Sequence, residues 1–152
     1  MTSIAPTPTL TTDDPARPLV LCLLGGRTYA VDLLSIREII PIRGSTRLPN
    51  SPPFVAGLMN VRGTIVTVID LSRRLGGDAV GGDASVVLVE HRGKLIGVAV
   101  DEVTEVLRLR PDEIDPPGPE HGAPGVITGV GHSGDTIVII LDIHSIIQQV
   151  ML

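Results

Sequence analysis

From Thr64 to Leu71 the chain reads Thr-Ile-Val-Thr-Val-Ile-Asp-Leu, aliphatic or β-branched almost without a break. In a strand, successive side chains point to opposite faces. Ile65, Ile69 and Leu71 therefore share one face, and Val66 and Val68 the other. A strand apolar on both faces is expected to be buried on both, in the middle of a fold. The residues before it constrain the fold further. Pro49, Pro52 and Pro53 keep the approach extended and out of a helix. Phe54, Val55, Leu58 and Met59 supply apolar mass. Asn60-Val61-Arg62-Gly63 reads as a tight turn, because Gly63 can take positive φ and Asn60 can bond its own backbone. The turn thus presents an arginine at the rim of a buried strand.

Such a core has to be aliphatic. Of 152 residues, 43% are hydrophobic but only 1% aromatic, and 17 Gly and 13 Pro punctuate the chain. That composition favours short strands and tight turns over long helices. Residues 1–17, rich in Thr, Pro, Ala and Asp with little to bury, are expected to be a disordered tail, and 18–152 one domain. Leu19–Leu24, Gly25-Gly26 and Thr28–Leu33 read as strand, turn, strand. Asp32 or Ser35 is expected to cap a short helix through Ile40, with Ile36, Ile39 and Ile40 at helical spacing from Leu33 and Pro41 ending it.

Beyond the central strand, Asp70 is a candidate cap for a helical turn over Leu71–Leu75, followed by a loop over Gly76–Asp83. Ser85–Glu90 and Lys94–Val100 form a hairpin through Arg92-Gly93; Val103–Leu109 reads as strand or helix, and its alternation favours a strand. Residues 111–125 hold five prolines and read as a long surface loop. Val126–Val130 and Thr136–Leu141 are strands around a turn at Ser133-Gly134-Asp135. Asp142–Val150 is a short helix with Ile143, Ile146, Ile147 and Val150 on one face. Nine or ten short strands predict an all-β fold, and two small barrels sharing a core accommodate that number.

The charge is −5 and uneven: residues 1–76 sum to +3 and 77–152 to −8. A net negative chain is a poor match to nucleic acid. The asymmetry reads either as ordinary surface solvation or as two electrically different ends suited to head-to-tail assembly. Cys22, the only cysteine, lies in an apolar run and reads as a core residue. No basic segment followed by an apolar one opens the chain, and its aliphatic runs are too short to span a bilayer, so a soluble cytoplasmic protein is expected.

Catalytic patterns are missing. Asp32, Asp70, Asp101 and Asp142 follow aliphatic runs, where aspartate ordinarily caps the next turn. His91, His121, His132 and His144 are scattered, without the spacing of a zinc site. The Gly-rich pieces lack the Lys-Ser/Thr of a phosphate loop, and no Gly-x-Ser-x-Gly elbow exists. No metal or cofactor is expected. The balance moves from enzyme to binding module, and Arg62 is the residue to watch: a rigidly held guanidinium offers planar, bidentate bonding. The plainer role for it is closing the turn by bonding local carbonyls.

The pattern Pro-x-x-Pro-x-Phe-Val-x-Gly-x-x-Asn-Val-Arg-Gly-x-Ile-Val-x-Val-Ile-Asp-Leu, Pro49 to Leu71, resembles the signature of the CheW coupling proteins of bacterial chemotaxis. Leu19–Ile40 resembles the opening strand pair of that family, Lys94–Leu109 its second hairpin and Ile127–Ile147 its closing segment. The resemblance implies two small five-stranded SH3-like barrels on a shared aliphatic core. It implies a non-enzymatic adaptor that binds chemoreceptor cytoplasmic tips and the regulatory domain of the histidine kinase CheA, in the cytoplasm beneath membrane receptor arrays. By position, the binding residues are Ile36, Glu38, Gly57 and Arg62, with Asn60 and Val61 nearby. Two other readings stand beside it: a ring-filling scaffold of the same fold in a pilus or surface-motility array, and a small-ligand or enzymatic β domain. The last requires two or more of the four aspartates and four histidines to converge in a cleft.

Overall fold

Gly25 and Gly26 both stand at positive φ and turn the first strand, β1 (Arg17–Leu24), back onto β2 (Arg27–Asp32). The computed structural model describes residues 16–42, 52–81, 83–118 and 125–150. A 3-10 turn at Leu33–Ser35, capped by Asp32, leads into β3 (Ile36–Pro41). Next come β4 (Val55–Val61), β5 (Thr64–Asp70) and the one-turn helix α1 (Leu71–Arg74). The hairpin β6 (Ser85–His91) and β7 (Lys94–Val100) follows, then β8 (Glu102–Leu109). A 3-10 turn at Pro111–Glu113 precedes the short β9 (Ile114–Asp115). The chain closes with β10 (Ile127–Ser133), β11 (Thr136–Leu141) and α2 (Ile143–Val150).

Two sheets result. One has the order β8-β1-β2-β11-β10-β9, the other β3-β6-β7-β5-β4. The middle of the chain builds the second sheet, and the two ends build the first. Among the described residues seven of the nine strand pairs are antiparallel, four of them hairpins, and one parallel pair in each sheet, β2 with β11 and β5 with β7, comes from the longer connections.

The strands are aliphatic on both faces because each face meets a different core. In β1, Leu19 and Leu21 join Ala30, Leu109, Val138 and Ile140 inside the first barrel-like subdomain. In β6, Val86 and Leu88 join Met59, Val61, Val66, Val68 and Ala99 inside the second. The alternate residues, Val20 and Cys22 from β1 and Val87 and Val89 from β6, enter a third cluster between the two. Ile69, Leu71, Val98, Val100, Ile139, Leu141 and, from α2, Ile143, Ile146 and Ile147 complete it. A period of two thus serves two interiors at once. Mainly β, with two barrel-like subdomains, short helices and a shared aliphatic core, is the architecture expected from the sequence. Burial pushes the Cys22 thiol up to about 12, consistent with an inert core residue.

Four differences from expectation have physical causes. The segment through Ile40 is a strand, not a helix. A bulge between Ile36 and Glu38 in β3 puts Ile36 opposite Val89, and Glu38 and Ile40 opposite Leu88 and Val86. The inserted residue shifts the alternation and imitates a helical spacing. Second, Ile65 is 61% exposed while Ile69 is fully buried, because Ile65 lies at the hairpin end of β5, opposite Asn60. Third, the segment after Leu109 is not all loop. Glu113 Oε1 accepts from the Arg110 N–H at 2.8 Å, the Glu113 N–H bonds back to the Arg110 carbonyl at 2.9 Å, and β9 pairs with β10, which makes the first sheet six-stranded where five strands were expected. Fourth, Arg17 already belongs to β1. Ala16 of the expected tail is described just before β1, and residues 1–15 lie outside the described residues, as does His121.

Candidate functional site

Arg62 (φ 49°) and Gly63 (φ 89°) are the two central residues of the β4–β5 turn. Paired positive φ values match the right-handed twist of the flanking strands. Asn60 Oδ1 accepts from the Gly63 N–H at 2.9 Å and fixes the turn. A left-handed arginine costs about 1–2 kcal/mol relative to its ordinary backbone. The guanidinium does not close the turn; Asn60 does that, and Arg62 reaches across to β3.

The sheet order explains how. β3 and β4 are the free edges of the five-stranded sheet, so the seam of its barrel lies between them. The bulge in β3 turns Glu38 toward that seam. Arg62 Nη1 donates to Glu38 Oε2 at 3.2 Å, and Nη2 donates to Oε1. This is a two-pronged fork in which both carboxylate oxygens are held. The Arg62 hydrogen bonds, helped by its charge, hold the Glu38 carboxyl below the usual carboxylate range, and the same bonds push Arg62 up. The two side chains remain 37% and 69% exposed, so water screens the pair and it contributes little to folding.

The sign of its pH dependence follows from the depressed carboxyl. As pH falls, the unfolded chain takes up the Glu38 proton before the folded one does. Any stability from the pair is therefore present above the usual carboxylate range and lost as pH drops through and below it. Denaturant melts of wild type and Glu38→Gln should differ near neutrality and converge in acid. A difference that stays constant into acid would contradict the pairing.

Beneath the fork lies a shallow hollow of about 350 Å³, lined by Ile40 and Pro41 of β3 and by Met59, Asn60, Val61 and Arg62. The seam is thus an apolar floor with a charged rim. Glu38, Asn60, Val61 and Arg62 come together there. Val61 is buried in the core of the second barrel and exposes only its edge to the hollow. Ile36 stands on the far side of the bulge, half-buried against the shared core. Gly57 is buried in β4 opposite Val68, at a bulge, with a φ of 151° that favours glycine. Sequence reasoning missed Ile40, Pro41 and Met59 as the floor. A β-branched run ended by proline, Ile39-Ile40-Pro41, was the signal for an edge strand there.

All four aspartates are hydrogen-bonded within the fold: Asp32, Asp70 and Asp142 cap the turns that follow them, whereas Asp101 ties the start of β8 to the distant β1–β2 turn. Asp32 accepts from the Leu34 N–H (3.0 Å), and Asp70 from the Arg73 (3.1 Å) and Val80 (3.0 Å) N–H groups. Asp101 accepts from the Gly25 N–H (2.8 Å), and Asp142 from the Ser145 N–H (3.2 Å) and hydroxyl (2.9 Å). Asp32 and Asp142 do line one hollow, with Arg17, Ser35 and Thr128, yet both serve as caps. His132 bonds Asp115 at 2.6 Å on the surface, and His91 meets His144. Among the described residues no group of three His, Cys, Asp or Glu side chains could hold a metal ion. No helix among them is long and apolar enough to cross a membrane.

Comparison with known proteins gives this geometry a family. The chain is 32% identical over 154 residues to the chemotaxis protein CheW of Klebsiella aerogenes, covering 98% of this chain and 92% of that one. It is 30% identical over 130 residues to the chemotaxis protein CheW of Helicobacter pylori, covering 84% and 79%. The crystal structure of the scaffolding protein TtCheW from Thermoanaerobacter tengcongensis superposes with a TM-score of 0.77 at 29% identity, over 86% of this chain and 92% of that one. The family model for the CheW-like domain matches residues 18–151, and the chain belongs to that family.

Proposed function

We propose that the protein couples the cytoplasmic tips of chemoreceptors to the regulatory domain of the histidine kinase CheA, and that the β3–β4 seam is where the receptor docks. The chain is a CheW-type coupling protein of chemosensory signal transduction. The observation that supports the seam is the Arg62–Glu38 fork beside an apolar floor. A receptor tip is a helical hairpin, and a helix laid along the seam would seat apolar side chains on Ile40, Pro41 and Met59. Arg62 and Glu38 would meet its polar residues beside that floor, and arginine is among the residue types enriched at binding hot spots. Ile36 and Gly57 support the site from behind, by fixing the bulges that aim β3 and β4. The role is non-enzymatic, in keeping with the CheW-like family, and each of the four aspartates is already bonded within the fold. The protein works in the cytoplasm, beneath membrane receptor arrays, through its partners.

Reconstitution tests this. With kinase, receptor fragments in an ordered array and this protein, kinase activity should respond to receptor ligand. Without the protein the response should vanish. A kinase that responds equally in both mixtures would overturn the coupling role.

A further inference from the structure

Two histidines far apart in the sequence meet head-on. His91 ends β6, His144 lies near the start of α2, and their Nδ1 atoms are 2.9 Å apart. The ring centroids are 5.2 Å apart and the planes differ by 28°. The centroid separation exceeds the nitrogen separation by about two ring radii, so the rings sit edge to edge with the nitrogens aimed at each other. Because the two nitrogens aim along one line, a shared metal would have to sit on that line, where half of 2.9 Å falls well short of the ~2.0–2.1 Å of a zinc–imidazole bond; the gap suits a proton.

The proton can be placed. His91 Nε2 lies 3.2 Å from Gln148 Oε1. An amide oxygen only accepts, so His91 Nε2 carries a hydrogen. Neutral His91 then offers Nδ1 as acceptor, and His144 donates its Nδ1–H. One added proton is tolerated, because His91 can donate while His144 changes tautomer and accepts. A second leaves two N–H donors and two positive charges facing each other.

Among the described residues, nothing lining the adjoining hollow compensates that charge. Arg92 and Lys94 of the β6–β7 hairpin line the same hollow, with Ile96, Ile147 and Gln148, and no carboxylate does. Glu90, beside His91, is bonded to Arg37 of β3. From Ile143 to Val150, α2 carries no charged residue, and Asp142 before it is held by Ser145. Arg74 of α1 donates to Gln149.

We propose that His91 and His144 form a proton-operated latch that fastens α2 to the β6–β7 hairpin. It is closed while the pair holds at most one extra proton and open when both rings are charged. Because α2 supplies Ile143, Ile146 and Ile147 to the cluster between the barrels, the latch bears on how the two subdomains pack.

Amide hydrogen exchange tests it, with β5 amides as internal reference and rates corrected for intrinsic pH dependence. Between about pH 8 and about pH 5, the range in which histidine commonly changes charge, α2 protection relative to β5 should fall in the wild type. A fall of about fivefold to fiftyfold corresponds to one lost hydrogen bond plus like-charge repulsion. In His91→Gln and in His144→Gln the ratio should stay flat. A flat wild-type ratio, or the same fall in the variants, would overturn the latch. The imidazole 15N shifts of the wild type read the pair without substitution. At about pH 8 one ring should carry its hydrogen on Nδ1 and the other on Nε2, and the same hydrogen placement in both rings would refute the pairing.

Discussion

Ile69→Ala will destabilise the protein by about 2–5 kcal/mol, the range for emptying a large aliphatic side chain from a core. Ile69 is fully buried in β5, between β4 and β7, and belongs to the cluster shared by both barrels and α2. The elements around it are held by ladders on both sides, so little can collapse into the space left behind. The same strand and the same face supply a control. Ile65 is 61% exposed, and Ile65→Ala should stay within about 0.5 kcal/mol of wild type. Denaturant midpoints of the two variants check this. Equal shifts would refute the placement of the shared core.

Arg62→Ala will leave the fold in place and weaken receptor binding by about 1–3 kcal/mol, roughly fivefold to 150-fold. Folding tolerates the change because the lost ion pair is exposed and the turn is held by Asn60 Oδ1 on the Gly63 N–H. Binding does not, because Arg62 is the cation at the rim of the seam, held by Glu38 in one geometry before a partner arrives. Arg62→Gly separates the two effects. Glycine suits the φ of 49° better than arginine or alanine, so that variant should be at least as stable as wild type. It should lose binding to the same extent as Arg62→Ala. Thermal melts beside binding curves read both quantities.

How much of this was legible in the sequence depends on how local the cause was. The strands β7 and β11 have the limits their aliphatic runs suggested, Lys94–Val100 and Thr136–Leu141, because glycine turns bound them and both faces are apolar. The Asp70 cap was legible for the same reason: one residue's chemistry decides it. β3 was misread because a bulge moves the pattern by one residue, and the ladder to β6 that forms the bulge is long-range. β9 carries no periodic signal in its two residues and exists only because β10 offers an edge. At the site, turn chemistry pointed to Arg62 at a rim. Its fork with Glu38 was hidden, since it depends on two sheet edges meeting at a seam. The histidines read as scattered, and only the return of α2 over β6 brings His144 to His91.

The most direct test of the account is a titration of the protein against two targets, a receptor cytoplasmic hairpin and the CheA regulatory domain, with wild type and Arg62→Ala side by side. Wild type should bind both, and the substitution should weaken the receptor arm alone by about fivefold to 150-fold. Equal affinity of the two proteins for the receptor hairpin would contradict the seam as the docking site. Binding of folded wild type to neither target would contradict the coupling role itself.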